Sequence, residues 1–396
     1  MTAADAETLR KRPLAGLRVL DLSRLLPGPF ATLVLGDLGA DVDKVEDPGA
    51  GDYLRNMPPL VGGMGATFHL LNRGKRSLVL DLKQKAGQDA LLRVIAKYDV
   101  LVETFRPGVM DRLGLGFERL RAVNRGLVYC AISGYGQTGP LAHHAGHDIN
   151  YLARAGVLGL TGPEDRPPQV PGFQVADIGG GALFAVAGIL ATLRARETTG
   201  EGRFVDVSMC EGSLLFGAFG ISSALGGMPF LHGSGPLAGG IAPFCTYRTK
   251  DGRYVALGAL EPKFWMAFCS GVGVEAGMDA LMPGPHQGDW KARLSVIFED
   301  KTLAEWVEFA KMNDCCLEPV LVPSELEADP QHAAREMFKT LPTRDGTPLT
   351  QIRVPIAEPP TTGAAPERGE HTVAVLRDAG FDDAAIAALK KSGVLG

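Results

Sequence analysis

The stretch AGHDINYLARAGVLGL, residues 145–160, sets a histidine and an aspartate, His147 and Asp148, side by side at the head of an apolar run with helical spacing. An imidazole titrates near neutrality and serves as a general base or acid, and the residue heading a helix has a backbone N–H with no intrahelical acceptor. Together they offer a proton acceptor beside a donor for developing negative charge. A second carboxylate, Asp177, stands in VADIGGGALFAVAGILATLRAR, ahead of a glycine run and a long apolar helix. Its local reading is that of an N-cap, and a carboxylate held at a helix N-terminus can also face a cleft. Glu261, in GALEPKF, closes an apolar strand before a proline and by itself reads as a turn carboxylate.

Two further clusters carry chemistry-bearing residues. HHAGHD brings His143 and His144 close to His147 and Asp148, but it lacks the H-E-x-x-H spacing of a zinc helix and has no nearby cysteine, so no metal is expected there. NRGKRS, residues 72–77, ends like a phosphate-binding loop and fails it: Arg76 separates Lys75 from Ser77, and His69 occupies the position of the required first glycine. Its cations, with Lys83, Arg106 and Arg112, gather around expected strand ends. That pattern fits either a phosphate-binding cluster or a solvated basic face.

These residues need a scaffold, and the chain alternates strand and helix signals. GLRVLDLS (16–23) reads as a buried strand, PFATLVLGDLGA as a helix ended by Gly39, and DVDKVED as a second strand. SLVLDLK (77–83), a helix over 86–98, DVLVETF (99–105), a helix near 109–123 and GLVYCAISGYG (126–136) continue the alternation, which implies a parallel sheet with helices on both faces and ligands beyond the carboxyl ends of its strands. Helices are expected over 148–159 and 178–196, joined by a Pro-rich loop, and RFVDVSM follows as a strand. A Gly-rich passage over 225–243 leads into a hairpin whose turn contains Asp251 and Gly252. The expected domains are a large α/β domain over 1–224, a small α+β domain over 225–325, and a segment over 326–396 that returns to the large domain.

At 396 residues the chain is long enough for two cores, and 45% hydrophobic and 21% charged residues with a net charge of −5 describe an ordinary globular protein. No basic tail points to nucleic acid. Six scattered cysteines without C-x-x-C spacing read as core thiols in a reducing compartment. The start, MTAADAETLRKRP, has no signal-like apolar core, and no stretch is expected to reach the ~18 apolar residues of a membrane span. A cytoplasmic protein is the resulting expectation.

The ordered blocks PLAGLRVLDLSRLLPGPFATLVLGDLGADV, NRGKRSLVLDLK, FRPGVMDRLGLG, SGYGQTGP, GHDINYLARAGVL, DIGGGALFAVAGILATL, GRFVDVSM and GALEPKF resemble the family III CoA-transferase superfamily, which includes the 2-methylacyl-CoA racemases. The resemblance implies an open, Rossmann-like large domain, a smaller domain, and a homodimer of two interlocked chains, acting on an acyl-CoA with no cofactor beyond its CoA moiety. It carries one catalytic base onto His147, the second onto Asp177, and a histidine-orienting role onto Glu261. The Asp148 N–H is then the donor to an enolate oxygen. CoA contacts fall on Leu26 and Pro27, on Leu80, Asp81, Leu82 and Lys83, and on Thr104, Phe105, Arg106 and Arg112. Gly146, Ile149, Asn150 and Tyr151 complete the set, with Lys83 and Arg112 meeting phosphates.

The branch with G-H-D-I-N-Y is the racemase branch, so the implied activity is interconversion of the 2R and 2S epimers of 2-methylacyl-CoA thioesters by two-base exchange of the α-proton. The alternative is a CoA-transferase in which Asp177 attacks the thioester; a non-catalytic CoA-binding dimer has no need of the His147, Asp177 and Glu261 set. Three positions depart from the racemase pattern: Phe173 replaces an asparagine, Ile178 follows Asp177 in place of phenylalanine, and Asp47 stands where an arginine is common.

Overall fold

The computed structural model describes residues 12–228 and 232–395. Most of the chain start and residues 229–231 of the Gly-rich passage lie outside the described residues. Two compact units emerge, the first made of the chain through Leu152, Gln174–Leu214 and Glu327 onward, the second of Ala153–Phe173 and Leu215–Leu326.

In the first unit, β1 (Arg18–Asp21), β2 (Asp41–Glu46), β3 (Arg76–Val79), β4 (Val100–Glu103), β5 (Val128–Ser133) and β6 (Phe204–Ser208) form one parallel sheet in the order β3-β2-β1-β4-β5-β6. Every residue of β4 and β5 is buried, as a sheet covered on both faces requires. The order reverses between β1 and β4, which opens a crevice at their carboxyl ends. Helix α1 (Pro27–Asp37) starts with proline at its first turn, where a missing N–H costs nothing, and α2 (Lys85–Ile95) turns Ala90, Leu91, Val94 and Ile95 into the core. The C-terminal segment packs within this unit: the Val79 N–H donates to Thr372 and the Asp81 N–H to the Val394 carbonyl.

Several boundaries differ from the sequence reading for local reasons. The helix expected near 109–123 is two, Val109–Arg112 and Phe117–Val123, because Gly114 takes a left-handed conformation at φ 68° between them. Helix α3 (Asp148–Arg154) stops before Gly156, at φ 78°. The helix expected from 178 begins at Val175, winds as a π-helix to Leu183 and continues as α4 (Phe184–Thr199). This 25-residue run is long and apolar enough to cross a membrane, contrary to the expectation that no segment would be. It packs against β5 and β6 and buries Ala185, Val186 and Ile189.

The second unit holds an antiparallel sheet of β7 (Phe244–Arg248), β8 (Tyr254–Gly258) and β9 (Leu317–Pro319), with β8 central and Gly252 at φ 76° in the hairpin turn. Trp265, Phe268, Phe298 and Trp306 fill its core. It begins at Leu215, ahead of the expected 225, and includes Ala153–Phe173 because the two segments pack together: a Cβ on Gly220 would lie 2.7 Å from Leu160, and one on Gly217 2.9 Å from Val157. The expectation that all cysteines are core thiols fails at Cys316, which is exposed at φ 55°.

The basic cluster of NRGKRS is neither a phosphate site nor a solvated patch. Lys75 is buried and its ammonium donates to Asp21 (3.0 Å), Thr32 (2.7 Å), Asn72 (3.0 Å) and the Pro29 carbonyl (3.1 Å). Arg73 pairs with Asp37, and Arg76 holds Asp43 through two bonds of 2.6 and 2.7 Å. Burial pushes Lys75 down to about 8, while Lys75 and Lys44 overcome burial to hold Asp21 far below the usual carboxylate range. Removing one partner of a buried pair strands the other, so Lys75→Met is expected to lower the unfolding free energy by about 3–5 kcal/mol in denaturant titration. Lys85→Met, which breaks the exposed pair with Asp89, serves as the control and should leave stability unchanged.

Candidate active site

The crevice is built by the turn between β1 and α1. Asp21, at the end of β1, accepts the Ser23 N–H at 2.9 Å and the Thr32 hydroxyl at 2.7 Å, as well as the Ser23 hydroxyl. Asp52 accepts the Leu25 N–H at 3.3 Å and pairs with Lys44 at 3.0 Å, and Lys44 donates to the Ser23 carbonyl at 2.7 Å. Held from both sides, the turn carries Leu25 at φ 64°, a conformation a branched side chain rarely takes. Gly28 allows the close approach that follows: a Cβ there would fall 2.1 Å from the Ser23 Cβ and 2.9 Å from the Thr104 methyl. Leu26, Pro27 and Thr104 thus meet at the strand-order reversal.

Beside it lies a cavity of about 440 Å³ whose lining contains Leu80, Asp81, Leu82, Lys83 and Phe105, five of the expected CoA positions. Asp47 also lines it, with one oxygen accepting the Gly49 N–H at 2.8 Å. Among the lining residues that the sequence reading missed are Arg24 and Tyr53. The Arg24 guanidinium lies 4.9 Å over the Tyr53 ring and donates to its hydroxyl at 3.1 Å. Their signal was a cation in the turn before the P-G-P helix start. Lys83, Arg106 and Arg112 are exposed and belong to none of the ion pairs among the described residues. The loop that carries Thr104–Arg106 is pinned by Glu103, whose carboxylate accepts the Phe105 N–H at 2.6 Å; burial pushes its pKa up to about 7.

The G-H-D-I-N-Y residues form a second group. The Asn150 side chain turns back to accept the His147 N–H at 3.0 Å, and the His147 carbonyl accepts the Asn150 N–H at 2.8 Å, so this end of α3 closes on itself. Tyr151 is buried; its hydroxyl donates to the Gly146 carbonyl at 2.5 Å and its ring meets Tyr135 edge-on. Glycine is required at Gly146 and Gly134 because a Cβ would lie 2.7 and 2.4 Å from that ring. Burial and the neighbouring Asp177 push the phenol up to about 12, and Arg106 opposes them. The charges of both Asp177 and Arg106 thus act on Tyr151. His147, Ile149 and Asn150 are exposed, as are His143 and His144.

Asp177 is not the N-cap of its helix. It lies in the first turn, two residues after Val175, and Gln174 at the cap position makes no side-chain bond. The cap comes from elsewhere: one oxygen of Asp148 accepts the N–H of Ala176 at 2.7 Å and of Asp177 at 3.0 Å. The His147–Asp148 pair is thus joined directly to the turn that carries Asp177. Burial and then the Asp148 charge raise the Asp177 pKa to about 6, with His147 acting in the opposite sense. Glu261 belongs to the second unit, exposed at the start of the helix Pro262–Val272; burial raises the pKa of the Cys316 thiol, and the Glu261 charge adds to it. Phe173 is in the same unit and 68% exposed.

Residues 14–372 match the model of CoA-transferase family III. The chain is 38% identical over 390 residues to alpha-methylacyl-CoA racemase of Mus musculus, covering 96% of this chain and 97% of the relative. It is equally 38% identical, over 337 residues, to acetyl-CoA:oxalate CoA-transferase of Acetobacter aceti, covering 83% and 86%. The crystal structure of a CAIB/BAIF family protein from Brucella suis superposes with a TM-score of 0.78 at 32% identity, covering 93% of this chain and all of that one. With the strand order and the blocks that build its crevice, the chain belongs to CoA-transferase family III.

Proposed function

We propose that the protein interconverts the 2R and 2S epimers of a 2-methylacyl-CoA thioester by exchange of the α-proton. The observation that carries this reading is the joining of an imidazole, His147, to a carboxylate of raised pKa, Asp177, through Asp148. One group removes the α-proton and leaves an enolate; the conjugate acid of the other returns a proton to the opposite face, which inverts the centre. The raised pKa of Asp177, about 6, lets it act as acid or base near neutrality, and an imidazole side chain is chemically suited to the partner role. The Asp148 N–H, in the first turn of α3, has no acceptor within its own helix and is assigned to the enolate oxygen. Glu261 is assigned to orienting the imidazole.

In the same reading the CoA moiety lies along the crevice, on Leu26, Pro27 and Thr104 and over the cavity lined by Leu80–Lys83, with phosphates on Lys83 and Arg112. A homodimer of interlocked chains in the cytoplasm goes with it. Its support is the exposed apolar surface of the second unit, where helix Ala218–Leu225 buries no residue and leaves Phe219 and Leu225 75% and 84% exposed. The second reading is a CoA-transferase, favoured by the equal identity to the oxalate enzyme. There the Asp177 carboxylate attacks the thioester carbonyl and CoA thiolate leaves, forming an acyl-aspartyl anhydride; CoA thiolate attacks the aspartyl carbonyl and releases the donor acid. The acceptor acid displaces CoA from the aspartyl thioester to form a second anhydride, and CoA thiolate takes the acceptor acyl group and frees Asp177.

Incubating one enantiomer of a 2-methylacyl-CoA in deuterium oxide without any free acid separates these readings. Deuterium should enter the α-position and the other epimer appear; exchange that waits for a free carboxylic acid, with transfer of CoA to it, belongs to the transferase. His147→Ala and Asp177→Ala should each lower racemisation at least about 10²-fold and abolish exchange from opposite enantiomers. Where Asp177 is the base, only its ionised form works, so kcat/KM should fall below pH about 6, well above the limb of an ordinary aspartate. Lys83→Ala and Arg112→Ala should each weaken CoA binding by about 1.5–3 kcal/mol by calorimetry, the scale of a lost charge-assisted phosphate bond. An unchanged Kd would remove that residue from the site.

A further inference from the structure

We propose that the Asp148 carboxylate is a positioning group: it caps the helix that carries Asp177, fixes where that carboxylate stands, and sets a negative charge beside it. This rests on Asp177 being the reacting carboxylate, and it is the same whether Asp177 acts as base or as nucleophile.

The start of this helix has little to hold it locally. Its first N–H groups have no acceptors within the helix; the Gln174 carbonyl takes the Ile178 N–H at 3.2 Å, and the Gln174 side chain caps none of those before it. The first nine residues, Val175–Leu183, are wound as a π-helix, a form that seldom persists without outside support, and they contain three consecutive glycines, the residues with the most backbone freedom to lose. Two anchors compensate. On one side Gly180 and Gly212 bring backbones together so closely that a Cβ on Gly212 would lie 2.1 Å from the Gly180 carbonyl oxygen. At the end of the helix, one Asp148 oxygen takes the N–H of Ala176 and of Asp177 itself. Bonds to a charged acceptor are the stronger kind, and an anion at a helix N-terminus is favoured by the helix dipole.

The placement has a consequence for the chemistry. Asp148 follows His147 in the chain, so the imidazole-bearing residue and the Asp177 backbone are separated by one peptide link and one hydrogen bond. A shift of either group is transmitted to the other. The charge has its own effect: the groups facing Asp177 are Asp148, His147 and the Tyr151 phenol, and of these Asp148 is the anion. It disfavours ionisation of Asp177, adding to burial, and His147 offsets part of this.

Two substitutions in the full-length chain separate acceptor from charge. Asp148→Asn keeps an oxygen for both N–H groups and removes the charge; Asp148→Ala removes both. With carboxyl-13C aspartate labelling, and Asp177 assigned by its loss in Asp177→Asn, the Asp177 titration midpoint should fall from near 6 toward the ordinary aspartate range in Asp148→Asn. The acid limb of the pH–rate profile should move with it, and kcat should stay within about tenfold of the parent. Asp148→Ala should lower kcat about 10²-fold with little change in KM, the mark of a displaced reacting group rather than a lost binding contact. A parental midpoint in Asp148→Asn, or a parental kcat in Asp148→Ala, overturns the proposal. Should Asp148→Ala fail to fold by circular dichroism, the Asp148→Asn titration decides alone. That titration needs no turnover, so it stands apart from any failure of the racemase reading.

Discussion

The crevice depends on a buried ionic lattice at the carboxyl ends of β1 and β2. Asp21, Lys75, Lys44 and Asp52 are all buried, and each charge is matched by an opposite charge and by hydroxyl, amide or carbonyl partners. Ions removed from water are tolerable only when so completely satisfied. Satisfying them dictates the path of the β1–α1 turn: Asp21 holds the Ser23 and Thr32 hydroxyls, Lys44 holds the Ser23 carbonyl, and Asp52 holds the Leu25 N–H. The left-handed Leu25 is the local cost. The return is a turn that cannot drift, from which α1 starts at a defined point beside Thr104.

The same economy of anchoring recurs at the second group of residues. A ring of close approaches, Tyr151 over Gly134 and Gly146 and Gly180 against Gly212, packs backbone on backbone and ring on backbone where any larger residue would push apart. Tyr151 is common to both groups, since the charges of Asp177 and Arg106 both act on it, in opposite senses. Arg106 belongs to the loop that Glu103 pins, so Asp177 and the Thr104–Arg106 loop share a neighbour. In either reading proposed for Asp177, a thioester must be placed against it to within a fraction of an ångström. This architecture serves either reaction, which is consistent with the equal similarity to a racemase and a transferase.

The sequence by itself determined the alternation of strands and helices, the parallel sheet and the residue types of the site. These are consequences of short-range rules: apolar runs of strand length, helical periodicity, and glycine and proline as punctuation. The motif that drew attention first, His147 beside Asp148, was legible because two chemically active side chains are adjacent in the chain. What only the tertiary structure decided is which partner each charge takes. Lys75 read as a candidate phosphate ligand or a solvated cation, and it is a core residue, because the carboxylate that neutralises it and a hydroxyl that holds it lie 54 and 43 positions away. Asp177 read as the cap of its own helix and Asp148 as the residue heading the helix before it. Instead Asp148 caps the helix of Asp177 across 28 residues. Periodicity and local propensity register only neighbours within a turn or two, whereas hydrogen bonds and ion pairs depend on distances that exist only once the sheet has assembled.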